Sequence, residues 1–166
     1  MVRTARETDV TIRVATRRDT SAIDALLARS YPKLLKPDYP PSVLVLAIPL
    51  ISKAQPKLIA SGTYYVAEEG GAIVGAGGWT PGRRAGVANV RHLVTDDRVT
   101  RRGVGRALME HSFATARAAG AGLMHTQSTL TAVPFYAAMG FERIEEITVP
   151  LGPAIALPCV SMIRPL

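Results

Sequence analysis

The sequence predicts an α/β chain: a mixed, mostly antiparallel sheet of six to seven strands flanked by helices. Three observations predict it. Short β-rich runs bounded by turn residues recur along the chain, and two of them meet at Glu69-Gly70-Gly71. The run between Gly103 and Gly120 repeats apolar residues at helical spacing. That run lies between the strand-like "GVANVRHLVT" and "GLMHTQST", a crossover that puts one parallel pair inside an otherwise antiparallel sheet.

The elements follow in order. "VTIRVA" (Val10 to Ala15) alternates like a strand. In "RRDTSAIDALLARSY", Asp19 or Thr20 serves as N-cap and Ile23, Leu26 and Leu27 share a helical face. The stretch from Tyr31 to Ser61 is punctuated by proline and holds one or two short helices. "TYYVAEEGGAIVGAGGWT" gives two strands, and "GVANVRHLVT" after the "PGRRAG" turn gives a third, an antiparallel meander. In the helix that follows, Val104, Ala107, Leu108, Ala114 and Ala118 form the expected buried stripe, with His111 among them. Gly120 fits the position just past its end. "GLMHTQST" is a strand, "TAVPFYAAM" a short helix closed by Gly140, and "FERIEEITVPL" and "IALPCVSMI" are two final strands.

Composition bounds the function. At 166 residues and 48% hydrophobic content, the chain suits a single domain spanning 1–166. The apolar run "VLVLAIPLI" is about half the roughly 20 residues a membrane crossing needs, and Pro49 interrupts it. No secretory signal opens the chain, so a cytoplasmic location is expected. Cys159 cannot form an internal disulfide and lies in an apolar run, which suits a buried thiol. The net charge of +7 fits nucleic acid, an acidic membrane surface or an anionic small molecule. Between Arg83 and Arg106 the excess is concentrated, yet no aromatic residues are interleaved with these arginines to stack bases. A nucleic-acid module therefore takes second place.

"VTRRGVGRALME" carries the chemistry. Gly103 and Gly105 lack side chains where a strand end turns into a helix, so backbone can approach a ligand closely. The first amides of a helix have no intrahelical partner and sit at the positive end of its dipole, which favours a phosphate or pyrophosphate. Arg101, Arg102 and Arg106 add charged donors at the same place. No Gly-Lys-Ser/Thr follows, so this is not a nucleotide P-loop, and the third glycine of the dinucleotide fingerprint is missing.

"TRRGVGRALM" followed by "FYAAMGF" (Phe135 to Phe141) resembles the GNAT superfamily of acyl-CoA-dependent N-acyltransferases. The first stretch matches Gln/Arg-x-x-Gly-x-Gly/Ala except at its first position, and the second matches Phe-Tyr-x-x-x-Gly-Phe. The likeness runs over nearly the whole chain, loosest from Tyr31 to Gly62. It implies a sheet splayed between strands four and five, with the pantetheine arm of acetyl-CoA lying in the gap as acyl donor. Backbone of Leu93, Val94 and Thr95 would pair with that arm. The loop Arg101, Arg102, Gly103, Val104, Gly105 and Arg106 would hold the pyrophosphate, with Thr129 near the short helix. A primary amine, small molecule or peptide, would attack the thioester directly, and Tyr136 would protonate the leaving thiolate. No metal is implied; a homodimer is left open.

Departures from the family pattern are specific. Thr100 replaces the long donor of the first motif, Thr129 replaces an asparagine but can still cap the short helix, and Asn89 stands where some members carry a basic carboxylate. The general base is unassigned among His92, His125, Glu68 and Glu69. Strand alternation points His92 away from Asn89 and Arg91 unless a bulge resets the phase. Tyr31, Tyr39, Tyr64, Trp79 and Arg91 are candidates for the acceptor wall. The rival readings are an idle acyl-CoA sensor of the same fold and a basic nucleic-acid-binding module.

Overall fold

The computed structural model describes residues 10–99 and 103–166. One seven-stranded sheet in the order β1-β2-β3-β4-β5-β7-β6 organises them. Strand β1 (Thr11–Val14) leads through a 3-10 turn into helix α1 (Thr20–Leu35), followed by α2 (Pro41–Ile51) and α3 (Pro56–Ile59). The meander is β2 (Tyr64–Glu69), β3 (Ala72–Pro81) and β4 (Val87–Thr95). Helix α4 (Val104–Ala118) crosses to β5 (Leu123–Thr129), α5 (Val133–Ala138) follows, and β6 (Glu142–Gly152) and β7 (Ile155–Pro165) close the sheet. All strand pairs are antiparallel except β4 with β5.

Local chemistry accounts for the boundaries. Gly70 and Gly71 both have positive φ, 57° and 80°, as a tight hairpin turn between right-twisted strands requires. Gly120, at φ 95°, lets the amide of Ala121 reach back 3.0 Å to the carbonyl of Ala116 and close α4. Two prolines lie inside helices rather than ending them. Pro32 in α1 and Pro49 in α2 have no N–H to give the carbonyls of Ala28 and Val45, both on exposed residues that water can reach. The apolar run around Pro49 is therefore one helix.

Helices cover the two faces of the sheet. On one, Ile23, Leu26 and Leu27 of α1 are at most 1% exposed and pack on Tyr64, Val66, Ala76 and Val94; each such burial is worth about 1.5–3 kcal/mol. On the other, α4 packs on Tyr65, Ala67, Trp79 and Ala88. The face that α4 buries differs from the expected stripe. Val104 and Leu108 are buried as expected, but the rest is Met109, Ser112, Phe113 and Ala116, while Ala114 and Ala118 are exposed. Phe113 sets that rotation, because Arg164 stacks over its ring at 4.1 Å and Phe141 lies against it.

Two charge clusters lock the helices to the sheet. Arg13 on β1 grips both carboxylate oxygens of Asp19 at 2.8 Å and reaches Glu68 on β2 at 2.6 Å. The guanidinium holds the Asp19 carboxyl down at about 2. Asp96, 2% exposed at the end of β4, accepts from Arg29 of α1 at 2.6 Å and from Arg98 at 2.9 Å. Arg98 is the main reason its carboxyl stays well below the usual carboxylate range.

Candidate active site

The site begins where two strands part. β4 and β5 pair only through Val87↔Leu123, Ala88↔Met124 and Asn89↔His125. Beyond Asn89, β4 stays on β3 as far as Thr95 while β5 stays on β7 as far as Thr129, so the sheet opens between them. The parting coincides with a bulge. Ala76 pairs with Val94 but Gly78 with Arg91, so two residues of β4, His92 and Leu93, face the single Gly77. His92 takes the left-handed φ of 49° there.

The bulge overturns the alternation expected for His92. Its ring lies on the α1 side, 5.9 Å from Tyr31, with Nε2 2.8 Å from the carbonyl of Ile51. That carbonyl can only accept, so Nε2 carries the proton and the tautomer is fixed. Burial pushes the imidazole below its ordinary value. The His92 carbonyl accepts from Tyr64 Oη at 3.0 Å. Three partners thus hold the residue in place.

A groove of about 640 Å³ runs along the parting between α1, α4 and α5. Leu93, Val94 and Thr95 line it from β4, Gly103, Val104, Gly105 and Arg106 from the start of α4, and Thr129 from the end of β5. Arg101 and Arg102 lie outside the described residues. Gly103 precedes the helix at φ 81°, a conformation only glycine adopts without strain. The first intrahelical bond of α4 runs from Ala107 N to Gly103 O at 3.0 Å, so the amides of Val104, Gly105 and Arg106 stand before it. Gly105 has a different reason to be small: an added Cβ would lie 3.1 Å from the Phe135 ring. A side chain there would press on Phe135, a packing reason for glycine that stands apart from any ligand.

Tyr136 is 5% exposed in the α4-side core, edge-on to Phe135 and Phe141. Burial pushes its phenol up to about 12, partly offset by a side-chain hydrogen bond with Thr126. Its neighbour Phe135 lines the groove directly. The Thr129 hydroxyl accepts from Ala132 N at 3.3 Å, one residue ahead of α5, which is a capping contact displaced by one position. Among the acceptor-wall candidates, Tyr31 lines the groove. Tyr39 is committed to structure, donating to Pro158 O at 2.6 Å and accepting from Leu130 N at 2.8 Å. Trp79 faces the opposite side, where its indole donates to Thr115. Cys159 is buried and free, its thiol pushed up to about 11 by burial.

The base candidates separate too. Glu68 is held by Arg13, and His92 has Nε2 committed to Ile51. His125 is half-buried on β5 with Nε2 2.8 Å from Ser161 Oγ, and burial lowers its imidazole below the ordinary value. Sequence reading missed the Asp96–Arg29 lock and the role of Phe135 as a wall. The two acids among arginines at Asp96 and Asp97 were the available signal for the first. Among the described residues, no helix is long and apolar enough to cross a membrane, and no three His, Cys, Asp or Glu side chains group to hold a metal.

Residues 60–143 match the family model of the acetyltransferase (GNAT) domain, and the chain belongs to that family. Comparison with curated proteins gives no match. Among solved structures, a GCN5-related N-acetyltransferase from Rhodopseudomonas palustris is 20% identical with a TM-score of 0.74, covering 94% of this chain and 95% of its own. The PaiA N-acetyltransferase from Thermoplasma acidophilum, in complex with coenzyme A, is 13% identical with a TM-score of 0.76, covering 95% and 99%. The ribosomal-protein-S18-alanine N-acetyltransferase from Escherichia coli is 16% identical with a TM-score of 0.66, covering 94% and 93%. At these identities the likeness shows the fold.

Proposed function

We propose that this protein is an N-acetyltransferase that moves an acetyl group from acetyl-CoA to a primary amine. One observation carries the reading: the described residues expected to hold the donor, Leu93, Val94, Thr95, Gly103, Val104, Gly105, Arg106 and Thr129, line one groove at the parted strands. The groove suits such a molecule. Its middle has apolar walls in Val104, Phe135 and Met139, one side is a strand edge released by β5, and one end is a helix N-terminus with Arg106. The Thermoplasma acidophilum neighbour, solved with coenzyme A, supports the assignment.

Acetyl-CoA supplies a thioester, an acyl group activated for attack by an amine. Leu93, Val94 and Thr95 offer backbone groups to its amides, and the amides of Val104, Gly105 and Arg106 offer donors to its phosphates. The acceptor amine attacks directly, without an acyl-enzyme. Tyr136 stays protonated at neutral pH, since its phenol is raised to about 12, and Oη holds the proton for the departing sulfur. His125, on β5 at the last pair before β4 and β5 part, is the candidate assigned to take a proton from the amine, directly or through water.

A panel of primary amines with acetyl-CoA, scored by thiol release, tests the proposal. Acetylation of at least one class is expected. Binding of acetyl-CoA without turnover on any amine would instead favour the sensor, and salt-sensitive DNA or RNA binding undisplaced by CoA would favour the nucleic-acid module.

A further inference from the structure

We infer that the acceptor carries an anionic group, a carboxylate beside its amine, and that Arg91 reads it; the inference rests on the transferase reading above. A polar row crosses four strands on the face opposite α4. Thr80 pairs with Asn89, and Asn89 in turn pairs with His125, whose Nε2 meets Ser161 on β7. Arg91 pairs with Gly78, two positions from Thr80, so it shares that face. Residues alternating with the row, Trp79, Ala88 and Met124, lie in the core beneath α4. Every member of the row is half-buried, and the row includes Asn89 and His125, the last pair before β4 and β5 part.

Arg91 is underused in that setting. Each of the other half-buried arginines among the described residues has a carboxylate or a backbone carbonyl at short hydrogen-bond distance. Arg13 and Arg29 hold carboxylates at 2.6–2.8 Å, and Arg164 donates to the Met139 carbonyl at 2.9 Å while stacking on Phe113. Arg91 reaches only the Thr80 hydroxyl at 3.4 Å and the Gln55 amide oxygen at 3.5 Å, with no carboxylate within salt-bridge distance among the described residues. A guanidinium presents five donors in a planar fork that fits a carboxylate with two parallel hydrogen bonds. Removing it from bulk water without such a partner is unfavourable. A carboxylate on the acceptor would complete it and fix the amine beside the parted strands.

The test measures acetylation of amino acids and ω-amino acids, each against its own carboxamide at matched free-amine concentration. Wild type should prefer the carboxylate by about tenfold to a hundredfold in kcat/KM, mostly through KM. Arg91→Gln should erase that ratio and Arg91→Lys should keep part of it, while both retain the thermal shift with acetyl-CoA that reports a folded donor site. A wild-type ratio near one, or a preference that survives Arg91→Gln, overturns the inference even if an Arg91 variant folds poorly. Failure of wild type to bind acetyl-CoA would overturn the transferase reading instead.

Discussion

A side-chain carbon on Gly105 would lie 3.1 Å from Cε2 of Phe135, so the two motifs that mark this family in the sequence pack side by side at the groove. The glycine loop and the Phe-Tyr segment therefore form one wall, and a larger residue at 105 must displace Phe135.

That contact makes its own prediction. Gly105→Val should push the Phe135 ring into the groove, lowering stability by about 1–3 kcal/mol as overpacking does and weakening acetyl-CoA binding. Combining it with Phe135→Leu should restore part of both losses. Gly103→Val acts differently, through the left-handed backbone at φ 81°, at a cost of about 1–2 kcal/mol, and no change at Phe135 should relieve it. Denaturant melts with and without acetyl-CoA on Gly105→Val, Gly103→Val, Phe135→Leu and the two double variants would show the contrast; additive losses at 105 and 135 would refute the coupling.

Tyr136→Phe removes one hydroxyl from a phenol that is 5% exposed. If Oη supplies the proton to the leaving sulfur, kcat should fall by about 10² or more with acetyl-CoA affinity little changed. A tyrosine kept for packing predicts the reverse, a lower Tm with near-normal turnover per folded molecule. Both quantities on one preparation decide it.

Much of this arrangement was legible in the sequence, because turn chemistry is local. Gly70-Gly71, Gly120 and Gly140 sit at positive φ where the runs around them end, and glycine announces such positions. The rotation of α4 was not legible. Alanine is compatible with either environment, so Ala114 and Ala118 gave no warning that Phe113 and Arg164 would turn the helix. The bulge at His92 was equally hidden, since a histidine at φ 49° is held by Ile51 and Tyr64 from distant segments. The groove lies between these extremes: its glycines are local signals, but the parting of β4 from β5 is a property of the sheet.

His92 and His125 should separate by function. His92→Asn tolerates the left-handed backbone but loses the bond to Ile51, so it should cost about 0.5–1.5 kcal/mol with turnover within a few-fold of wild type. His125→Asn should instead cut kcat/KM and remove an acid limb that lies below the ordinary imidazole range, because burial lowers this ring. Loss of turnover in His92→Asn with normal stability would reverse the two assignments.

Acid should unlock the helix-to-sheet clusters. The Asp19 carboxyl is held at about 2 in the folded chain by Arg13, below its unfolded value of about 3.9. Its contribution is therefore complete above about pH 4 and is lost as pH falls toward 2. Asp96 is shifted in the same direction. Allowing for solvent around Arg13, Arg13→Gln should remove about 1 kcal/mol at neutral pH and flatten the acid limb of the stability curve. Stability curves of wild type and variant that stay parallel between pH 2 and 5 would contradict this.

The central claim is that the groove at the parted strands holds acetyl-CoA, and thermal melting across an acetyl-CoA titration tests it most directly. At a hundred times the dissociation constant the ligand should add about 2.7 kcal/mol, raising Tm by about 5–10 °C, and Gly103→Val should reduce that rise. An unchanged Tm at millimolar acetyl-CoA would contradict the account.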